Sequence, residues 1–191
     1  MKKAIRTEYE ELGVEEYYKT YADVYENPHF RYIKRLLAQN ESRIDFSKVL
    51  DFSCGGGEVS LILRGLGYEN FSGCDPFTQD LYFKNTGIRA TDFSFEDVIK
   101  QKMTPSVLDS FSAIICCFAM HLCPEKQLYP LVNQLFTLSK NIVIITPHKR
   151  PKLEAITGVN LIFDDFTMTD RGKKIFLKSY ELVESREYGD L

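Results

Sequence analysis

The sequence has no apolar segment long enough to cross a bilayer. Its longest uninterrupted apolar run covers residues 113–120, whereas a membrane-spanning helix needs about 20 apolar residues. The basic start of the chain, residues 1–6, is followed by Glu8, Glu10 and Glu11 rather than by an apolar core, which excludes the pattern of a secretory signal peptide. The sequence therefore predicts a soluble protein that does not contact a membrane.

A basic excess is also absent. The 191 residues contain 27 acidic and 24 basic side chains, which gives a net charge of −3 and a pI of about 5.7. Nucleic-acid-binding domains usually carry a basic excess, so the composition argues against a dedicated nucleic-acid binder, although a local basic patch is compatible with it. No repeat, low-complexity tract or linker divides the chain, and its length predicts one domain.

The cysteines have no pair with the spacing of a zinc site. They number five and occupy positions 54, 74, 116, 117 and 123, and no two of them have the two to four intervening residues that zinc ligands favour. Several lie in apolar runs, where a free thiol behaves as a small hydrophobic group. We therefore expect reduced and buried cysteines, no metal site and a cytoplasmic location.

Apolar runs alternate with helical patterns along most of the chain. Seven runs have the character of strands: residues 48–52, 70–74, 88–90, 111–119, Asn141–Thr146, 160–167 and Lys174–Leu182. Four stretches between them are helical in pattern: residues 58–67, 96–102, 124–140 and, briefly, 152–156. The polar turn before the last strand predicts an antiparallel hairpin. We predict an α/β fold with a mostly parallel seven-stranded sheet, this C-terminal hairpin, and helices on both faces.

Tyrosine is concentrated in the N-terminal region. Four tyrosines follow helical spacing over residues 14–25: Tyr17, Tyr18, Tyr21 and Tyr25. Asn27 and Pro28 then have the pattern of an N-cap followed by proline in the first helical position. The next helix would place Ile33, Leu36 and Leu37 inward. We expect residues 1–45 to form a helical cap on a core formed by residues 46–191.

One segment combines a strand, a glycine turn and a helix. The first predicted strand leads to Asp51, glycines occupy positions 55–57, and apolar residues recur at helical spacing over residues 58–67. Glycine allows a ligand to approach the bare backbone, and the unpaired N–H groups at the start of the helix can bind it. The segment predicts a cradle for a nucleotide or another anionic ligand.

Acidic residues follow the next two predicted strands, at the edge where open α/β sheets bind ligands. Asp75 lies 18 residues beyond Gly57, close to the distance at which an acidic side chain meets a ribose diol. Asp92 and Phe93 offer an acceptor and an apolar ring, which suits adenine. Asp75 can instead be a turn residue, and Asp92 a helix cap. The ribose and adenine contacts together predict an adenosine-containing ligand.

Two histidines follow the last two parallel strands. His121 comes after the run at 111–119, and His148 begins a basic segment that continues with Lys149 and Arg150. Histidine ordinarily titrates near neutral pH, which suits a general base. Each histidine can instead be a polar residue that closes its strand. The basic segment is either a solvated surface or an attractor for an anionic substrate.

These features resemble the class I S-adenosylmethionine-dependent methyltransferases over residues 49–146. The family's first motif, an acid followed by alternating glycines, matches residues 51–57. Its second and third acids match Asp75 and Asp92. Its fourth motif, an apolar run that often ends in histidine, matches residues 116–122. The resemblance implies a single-domain Rossmann-like methyltransferase fold.

The sequence differs from the family's motifs at two positions. Two other ligand-binding motifs are alternatives to the methyltransferase resemblance. Ser53 stands at the first glycine of the motif, and Ser112 stands where many members carry aspartate. A nicotinamide-binding unit would need a third glycine where Ser60 stands, and no Tyr-x-x-x-Lys pair occurs in the sequence. A phosphate-binding P-loop would need Ser or Thr at Lys174. The methyltransferase resemblance therefore takes precedence.

The resemblance implies S-adenosylmethionine as cofactor and S-adenosylhomocysteine as product. The implied cofactor-binding residues follow the first four strands: Asp51, Ser53, Cys54, Gly55, Gly57, Asp75, Pro76, Asp92, Phe93, Cys117 and Phe118. The implied reaction is methyl transfer to an oxygen or nitrogen of a small molecule. His121 and His148 are its candidate catalytic residues. The candidate substrate contacts are aromatic or basic: Tyr17, Tyr21, Tyr25, Lys149 and Arg150. A protein or RNA acceptor and a catalytically silent cofactor-binding module are the alternatives.

Overall fold

The computed structural model describes residues 27–103 and 110–183. The predicted tyrosine helix at 14–25 lies outside the described residues. The helices are α1 (Phe30–Gln39), α2 (Glu58–Gly65), α3 (Gln79–Thr86), α4 (Phe95–Ile99) and α5 (Glu125–Leu138). The strands are β1 (Val49–Phe52), β2 (Phe71–Cys74), β3 (Ala113–Cys117), β4 (Asn141–Thr146), β5 (Val159–Met168) and β6 (Lys174–Leu182). Short 3₁₀ turns cover Met120–Leu122 and Leu153–Ala155.

The strands form one mixed sheet in the order β2-β1-β3-β4-β6-β5. The first four are parallel, since β1 pairs with β2 and β3, and β3 pairs with β4. β6 runs antiparallel to β4 and to β5, which confirms the predicted C-terminal hairpin. The order reverses between β1 and β3, so the carboxyl ends of the parallel strands meet around a switch point.

The sequence predicts seven strands, whereas the described residues contain six. At residues 88–90 the chain forms no strand, and Thr91 makes a single bridge to Cys74. The Ile88 N–H donates to Oγ1 of Thr86 at 3.1 Å, so this segment is bonded to the end of α3 instead of to β2. Only at Thr91 does the backbone reach β2, where its N–H donates to the Gly73 carbonyl at 2.9 Å.

Helices cover both faces of the sheet. On one face α1 and α2 bury apolar side chains such as Leu36 and Leu63 against the strands. On the other face α5 does the same through Leu131 and Leu135. α5 runs through Pro130 without interruption, rather than starting after it. This double cover explains why β3 and β4 are apolar along nearly their whole length.

α1 begins later than the sequence predicts. Asn27, predicted as the N-cap, accepts the His29 N–H on its Oδ1 at 2.9 Å and the Phe30 N–H on its carbonyl at 3.1 Å. It therefore closes a turn before the helix, as asparagine often does, and His29 takes the N-cap position. Pro28 lies outside the helix. The inward positions are as predicted: Ile33, Leu36 and Leu37.

No helix in the described ranges is both long enough and apolar enough to cross a membrane. All five cysteines are free, and all but Cys117 are buried. Burial raises the pKa of Cys74 and of Cys116 to about 12, so both thiols stay protonated near neutral pH. A protonated thiol is a poor nucleophile, which agrees with the prediction of structural cysteines.

The packing of α3 on the sheet depends on a glycine in β2. Tyr82 of α3 is fully buried, and a Cβ at Gly73 would lie 2.5 Å from Cζ of its ring. The Tyr82 hydroxyl is hydrogen bonded to Ser60 Oγ at 2.7 Å. The ring therefore cannot move away from Gly73 without breaking a buried hydrogen bond.

We expect Gly73→Ala to lower the free energy of unfolding by about 1–3 kcal/mol, the usual cost of overpacking. Gly65→Ala in α2 is the matched control, because a Cβ there meets nothing within 4 Å. Alanine is the better helix former, so the control should gain up to about 1 kcal/mol. Urea denaturation measures both changes. Equal stability of the two variants would contradict this account of Tyr82.

Candidate functional site

The carboxyl ends of β1 to β4 surround a cavity of about 930 Å³. It lies at the switch point between β1 and β3, where open α/β sheets bind ligands. The volume is near the upper end of the ~300–1,000 Å³ of small-molecule pockets. Its walls come from the turn before α1 and from the loops that follow the four parallel strands.

The glycine turn after β1 forms one wall. Ser53, Gly55 and Gly57 have positive φ angles of 57°, 52° and 85°, a conformation that glycine adopts without strain. Ser53 adopts it at a cost of about 1 kcal/mol. Ser53 and Gly55 border the cavity, as does the neighbouring Cys54. Gly57 instead packs on α3, where a Cβ would lie 2.8 Å from Thr86 Cγ2.

Asp51 lies at the end of β1, beneath this turn. Its Oδ2 accepts hydrogen bonds from the Ser60 N–H at 3.1 Å and from the Ser60 hydroxyl at 2.8 Å. Burial raises the pKa of Asp51 to about 8, although the hydrogen bonds from Ser60 act in the opposite direction. The carboxyl group borders the cavity and is held in place by α2.

Asp75 follows β2 and faces the same cavity, next to Pro76. Its Oδ2 accepts the Gly55 N–H at 3.3 Å, and its Oδ1 accepts the Phe77 N–H at 2.9 Å. Burial raises the pKa of Asp75, and hydrogen bonds from Phe77, Gly55 and Thr78 lower it. A carboxylate has about four acceptor positions, so the part of this group that borders the cavity can still accept a hydrogen bond from a ligand hydroxyl.

Carboxyl groups are the charged groups of the cavity, and no lysine or arginine is among the described residues that line it. The four acids are Asp51, Glu58, Asp75 and Glu96. Burial raises the pKa of Glu58, while hydrogen bonds, including one from the Asn27 side chain, lower it. Glu96 is paired with Lys100 at 2.7 Å. The other three carboxyl groups have no lysine or arginine beside them among the described lining residues, which favours a positively charged ligand.

The segment after Thr91 contributes the next wall, from Phe93 to Glu96. Asp92 does not border this cavity. It lines a shallower pocket of about 440 Å³ together with Arg89, because neighbouring residues of an extended chain point to opposite sides. Phe93 borders both pockets. Glu96 of α4 lines the larger cavity, and its carboxylate is paired with Lys100 at 2.7 Å.

The loop after β3 begins with a strained aromatic residue. Phe118 has a φ of 57°, and its N–H donates to the Ile145 carbonyl of β4 at 2.8 Å. Such strain persists where the surrounding structure holds the residue. The Phe118 ring stacks on His29, with centroids 4.9 Å apart and planes inclined by 17°. Cys117 also borders the cavity, and burial raises its pKa well above its ordinary value.

The structure brings His121 and His148 together. Their ring centroids are 4.5 Å apart, and both residues line the cavity. Lys149 and Arg150, expected as substrate contacts, are exposed and do not line it, because the chain turns out to solvent after His148. The remaining expected substrate contacts lie outside the described residues: Tyr17, Tyr21 and Tyr25.

Besides Glu96, two residues of the site are absent from the sequence-based prediction. Glu58 is the first residue of α2, and its place directly after the glycine turn is an available signal. His29 follows the predicted N-cap, and its position in the sequence predicts no role in a site. Its burial lowers its pKa, and its Nδ1 has no hydrogen-bond partner among the described residues. Its position against Phe118 depends on tertiary packing, which no local pattern in the sequence encodes.

No protein-family model matches the sequence. A protein of Schizosaccharomyces pombe, described only as uncharacterized, is 28% identical, and the match covers 76% of each chain. This relative provides no function to compare.

Solved structures resemble the fold closely despite low sequence identity. Magnesium protoporphyrin IX methyltransferase from Synechocystis, solved with bound S-adenosylmethionine, superposes with a TM-score of 0.60 at 14% identity, over 93% of this chain and 95% of that one. The CcbJ methyltransferase from Streptomyces caelestis superposes with a TM-score of 0.62 at 11% identity, over 87% of this chain and 96% of that one. A protein from Pyrococcus horikoshii that is described as a putative RNA methyltransferase superposes with a TM-score of 0.56 at 14% identity, over 79% of this chain and 82% of that one.

These neighbours differ in substrate and share an architecture. This chain has the same alternation of strands and helices, with its cavity at the switch point and an antiparallel pair at one end of the sheet. It has the fold of the class I S-adenosylmethionine-dependent methyltransferases.

Proposed function

We propose that this protein binds S-adenosylmethionine and transfers its methyl group to an oxygen or nitrogen atom of a small molecule. The observation that carries the proposal is the cavity at the switch point, where the glycine turn and Asp75 adjoin three further carboxyl groups and two histidines. S-Adenosylhomocysteine would be the product.

The residues after β1 and β2 fit this cofactor. The Gly55 and Phe77 N–H groups orient the Asp75 carboxylate, which borders the cavity and suits an acceptor for a ribose hydroxyl. Phe93 offers an apolar surface for a base. The proposed cofactor contacts border the cavity: Asp51, Ser53, Cys54, Gly55, Glu58, Asp75, Pro76, Phe93, Cys117 and Phe118. Gly57 would support the turn on the side that packs against α3. An adenine contact through Asp92 stays a prediction.

The charge of the cavity also fits. S-Adenosylmethionine is net positive, because it carries positive charge on its sulfur and amino group and negative charge on its carboxylate. The cavity provides Asp51, Glu58 and Asp75 without a competing lysine or arginine among its described lining residues. Burial raises the pKa of each of these acids. A cationic ligand would stabilise their ionised forms and would thereby recover part of the cost of burying them.

The protein has two tasks in the proposed reaction. The cofactor, when bound, supplies a methyl group on a positively charged sulfur. Holding the acceptor atom in line can lower the barrier by about 7–11 kcal/mol. We assign to His121 and His148 the role of taking the acceptor's proton as its bond to carbon forms, a role that the proximity of their rings supports. His148 is exposed and can pass that proton to water.

The site favours a small acceptor over RNA or protein. A cavity of about 930 Å³ has room for a cofactor and a small molecule. The basic residues expected to attract an anion, Lys149 and Arg150, lie outside it. In the C-terminal hairpin Lys178 lies 3.9 Å from Glu154, and Asp170 pairs with Arg31, so acidic groups interrupt its positive charge.

Two further predictions accompany this function. Tyr17, Tyr21 and Tyr25 are proposed as additional acceptor contacts, on their sequence pattern alone. The cytoplasm is proposed as the compartment, because all five cysteines are free and a reducing environment keeps thiols in that state.

Asp75→Asn should weaken the binding of S-adenosylmethionine about a hundredfold or more, because two hydrogen bonds to a charged acceptor are lost and each contributes about 1.5–3 kcal/mol. Isothermal titration calorimetry measures the dissociation constant. Asp80→Ala is the control, since Asp80 is exposed and forms a surface ion pair with Arg89 at 3.6 Å. Unchanged binding by the Asp75 variant would refute the cofactor assignment.

Binding of S-adenosylmethionine should release protons and strengthen with pH. In the free protein burial raises the pKa of Asp51 to about 8 and raises those of Glu58 and Asp75, and a bound cation would lower all three. Affinity should therefore rise from about pH 6 to about pH 8.

Calorimetry in buffers that differ in ionisation enthalpy counts the protons released. Adenosine, which carries no positive charge, is the matched control and should release fewer protons. An affinity that falls over this pH range, or equal release with both ligands, would contradict the proposed charge pairing.

His121→Ala and His148→Ala should each lower kcat about a hundredfold or more, the usual contribution of a general base. Transfer of a labelled methyl group to a panel of phenols and amines measures turnover. The dissociation constant of S-adenosylmethionine should change little. Lys149→Ala, outside the cavity, is the control. If both histidine variants keep full turnover, the general base lies elsewhere or is not needed.

A further inference from the structure

The cavity has two chemically different ends. The loops after β1 and β2 carry the glycine turn and Asp75, which the proposed function gives to the cofactor. The remaining wall comes from the turn before α1 and the loops after β3 and β4. It contains all three histidines of the chain: His29, His121 and His148. If the cofactor occupies the first end and reaches as far as Cys117 and Phe118, the acceptor lies at this second end, with Phe118 at the boundary between them.

The second end offers no permanently charged cation to an acceptor, because none of the described residues that line the cavity is a lysine or arginine. An acidic residue lies close to it, since the Asn27 side chain donates a hydrogen bond to Glu58. Burying a carboxylate or phosphate without a cation costs several kcal/mol. An acceptor that is anionic at this end is therefore disfavoured.

The same end offers flat apolar surface. His29 and Phe118 stack 4.9 Å apart and nearly parallel, and the left-handed backbone of Phe118 holds its ring at the cavity. Burial lowers the pKa of His29, which favours the neutral ring. Leu122, on the same wall, is 55% exposed, which leaves an apolar rim at the entrance. An aromatic ring is the group that such a wall binds best.

We infer that the acceptor is an uncharged aromatic molecule bearing a hydroxyl or N–H group, with its ring against the wall formed by His29 and Phe118. This inference rests on the proposed function. The hydroxyl or N–H group would face the pair formed by His121 and His148, which takes its proton. The new bond joins the acceptor's oxygen or nitrogen to the methyl carbon, the bond from that carbon to sulfur breaks, and the proton leaves through the imidazole.

A matched pair of probes tests the class of acceptor. 2-Naphthol and 2-naphthoate share one ring system and differ in charge near neutral pH. Calorimetry with the protein saturated with S-adenosylhomocysteine measures their binding without any turnover. We expect 2-naphthol to bind and 2-naphthoate to bind about a hundredfold more weakly. No binding of 2-naphthol, or equal binding of both probes, would overturn the inference.

Two variants test the wall itself. His29→Ala removes one ring and should weaken 2-naphthol binding about two- to tenfold, whereas His29→Phe keeps a stacking ring and should bind it nearly as the parent does. Both should bind S-adenosylhomocysteine unchanged, which also shows that they are folded. Unchanged 2-naphthol binding by His29→Ala would overturn the inference. Failure of the parent protein to bind S-adenosylhomocysteine would instead refute the proposed function.

Discussion

A chain of buried hydrogen bonds from Asp51 through Ser60 to Tyr82 holds β1, α2 and α3 together beneath the cavity. Each member is buried and bonded, and leaving one of them unpaired would cost about 1–3 kcal/mol. Two glycines make room for the Tyr82 ring, since Cβ atoms at Gly57 and Gly73 would lie 3.0 Å and 2.5 Å from it. The glycine turn therefore has two uses: Gly57 allows the packing of α3, and Gly55 presents backbone to the ligand side.

Much of this arrangement was predictable because it is local. The alternation of apolar runs and helical patterns depends on the period of each element, and the glycine turn depends on adjacent residues. The prediction of a seventh strand at residues 88–90 is wrong, because the Ile88 N–H donates a hydrogen bond to the Thr86 side chain instead of to a neighbouring strand. The prediction of Asn27 as the N-cap is wrong for a similar reason, since its side chain accepts a hydrogen bond from the His29 N–H in a turn before the helix. In both places a side chain competes with regular backbone pairing.

The parts of the site that sequence reasoning missed depend on where side chains point in three dimensions. Asp92 and Glu96 belong to one short segment, yet only Glu96 faces the larger cavity. His29 meets Phe118 across 89 positions of sequence. What the fold creates from these residues is a division of the cavity, with carboxyl groups near the glycine turn and imidazole and phenyl rings at the other end. That division supports both a cationic cofactor and an uncharged partner for it.

The distribution of histidine gives the protein a built-in probe. The chain contains three histidines, and all three line the same cavity. Imidazole C–H protons resonate apart from most other protein signals, so the three histidines would report on one place in a proton NMR spectrum, without labels or engineered residues. His29 and Phe118 are stacked, and ring currents make such a signal sensitive to anything that separates the rings. Occupancy of the end of the cavity that holds the histidines would thus be visible in the signals that shift.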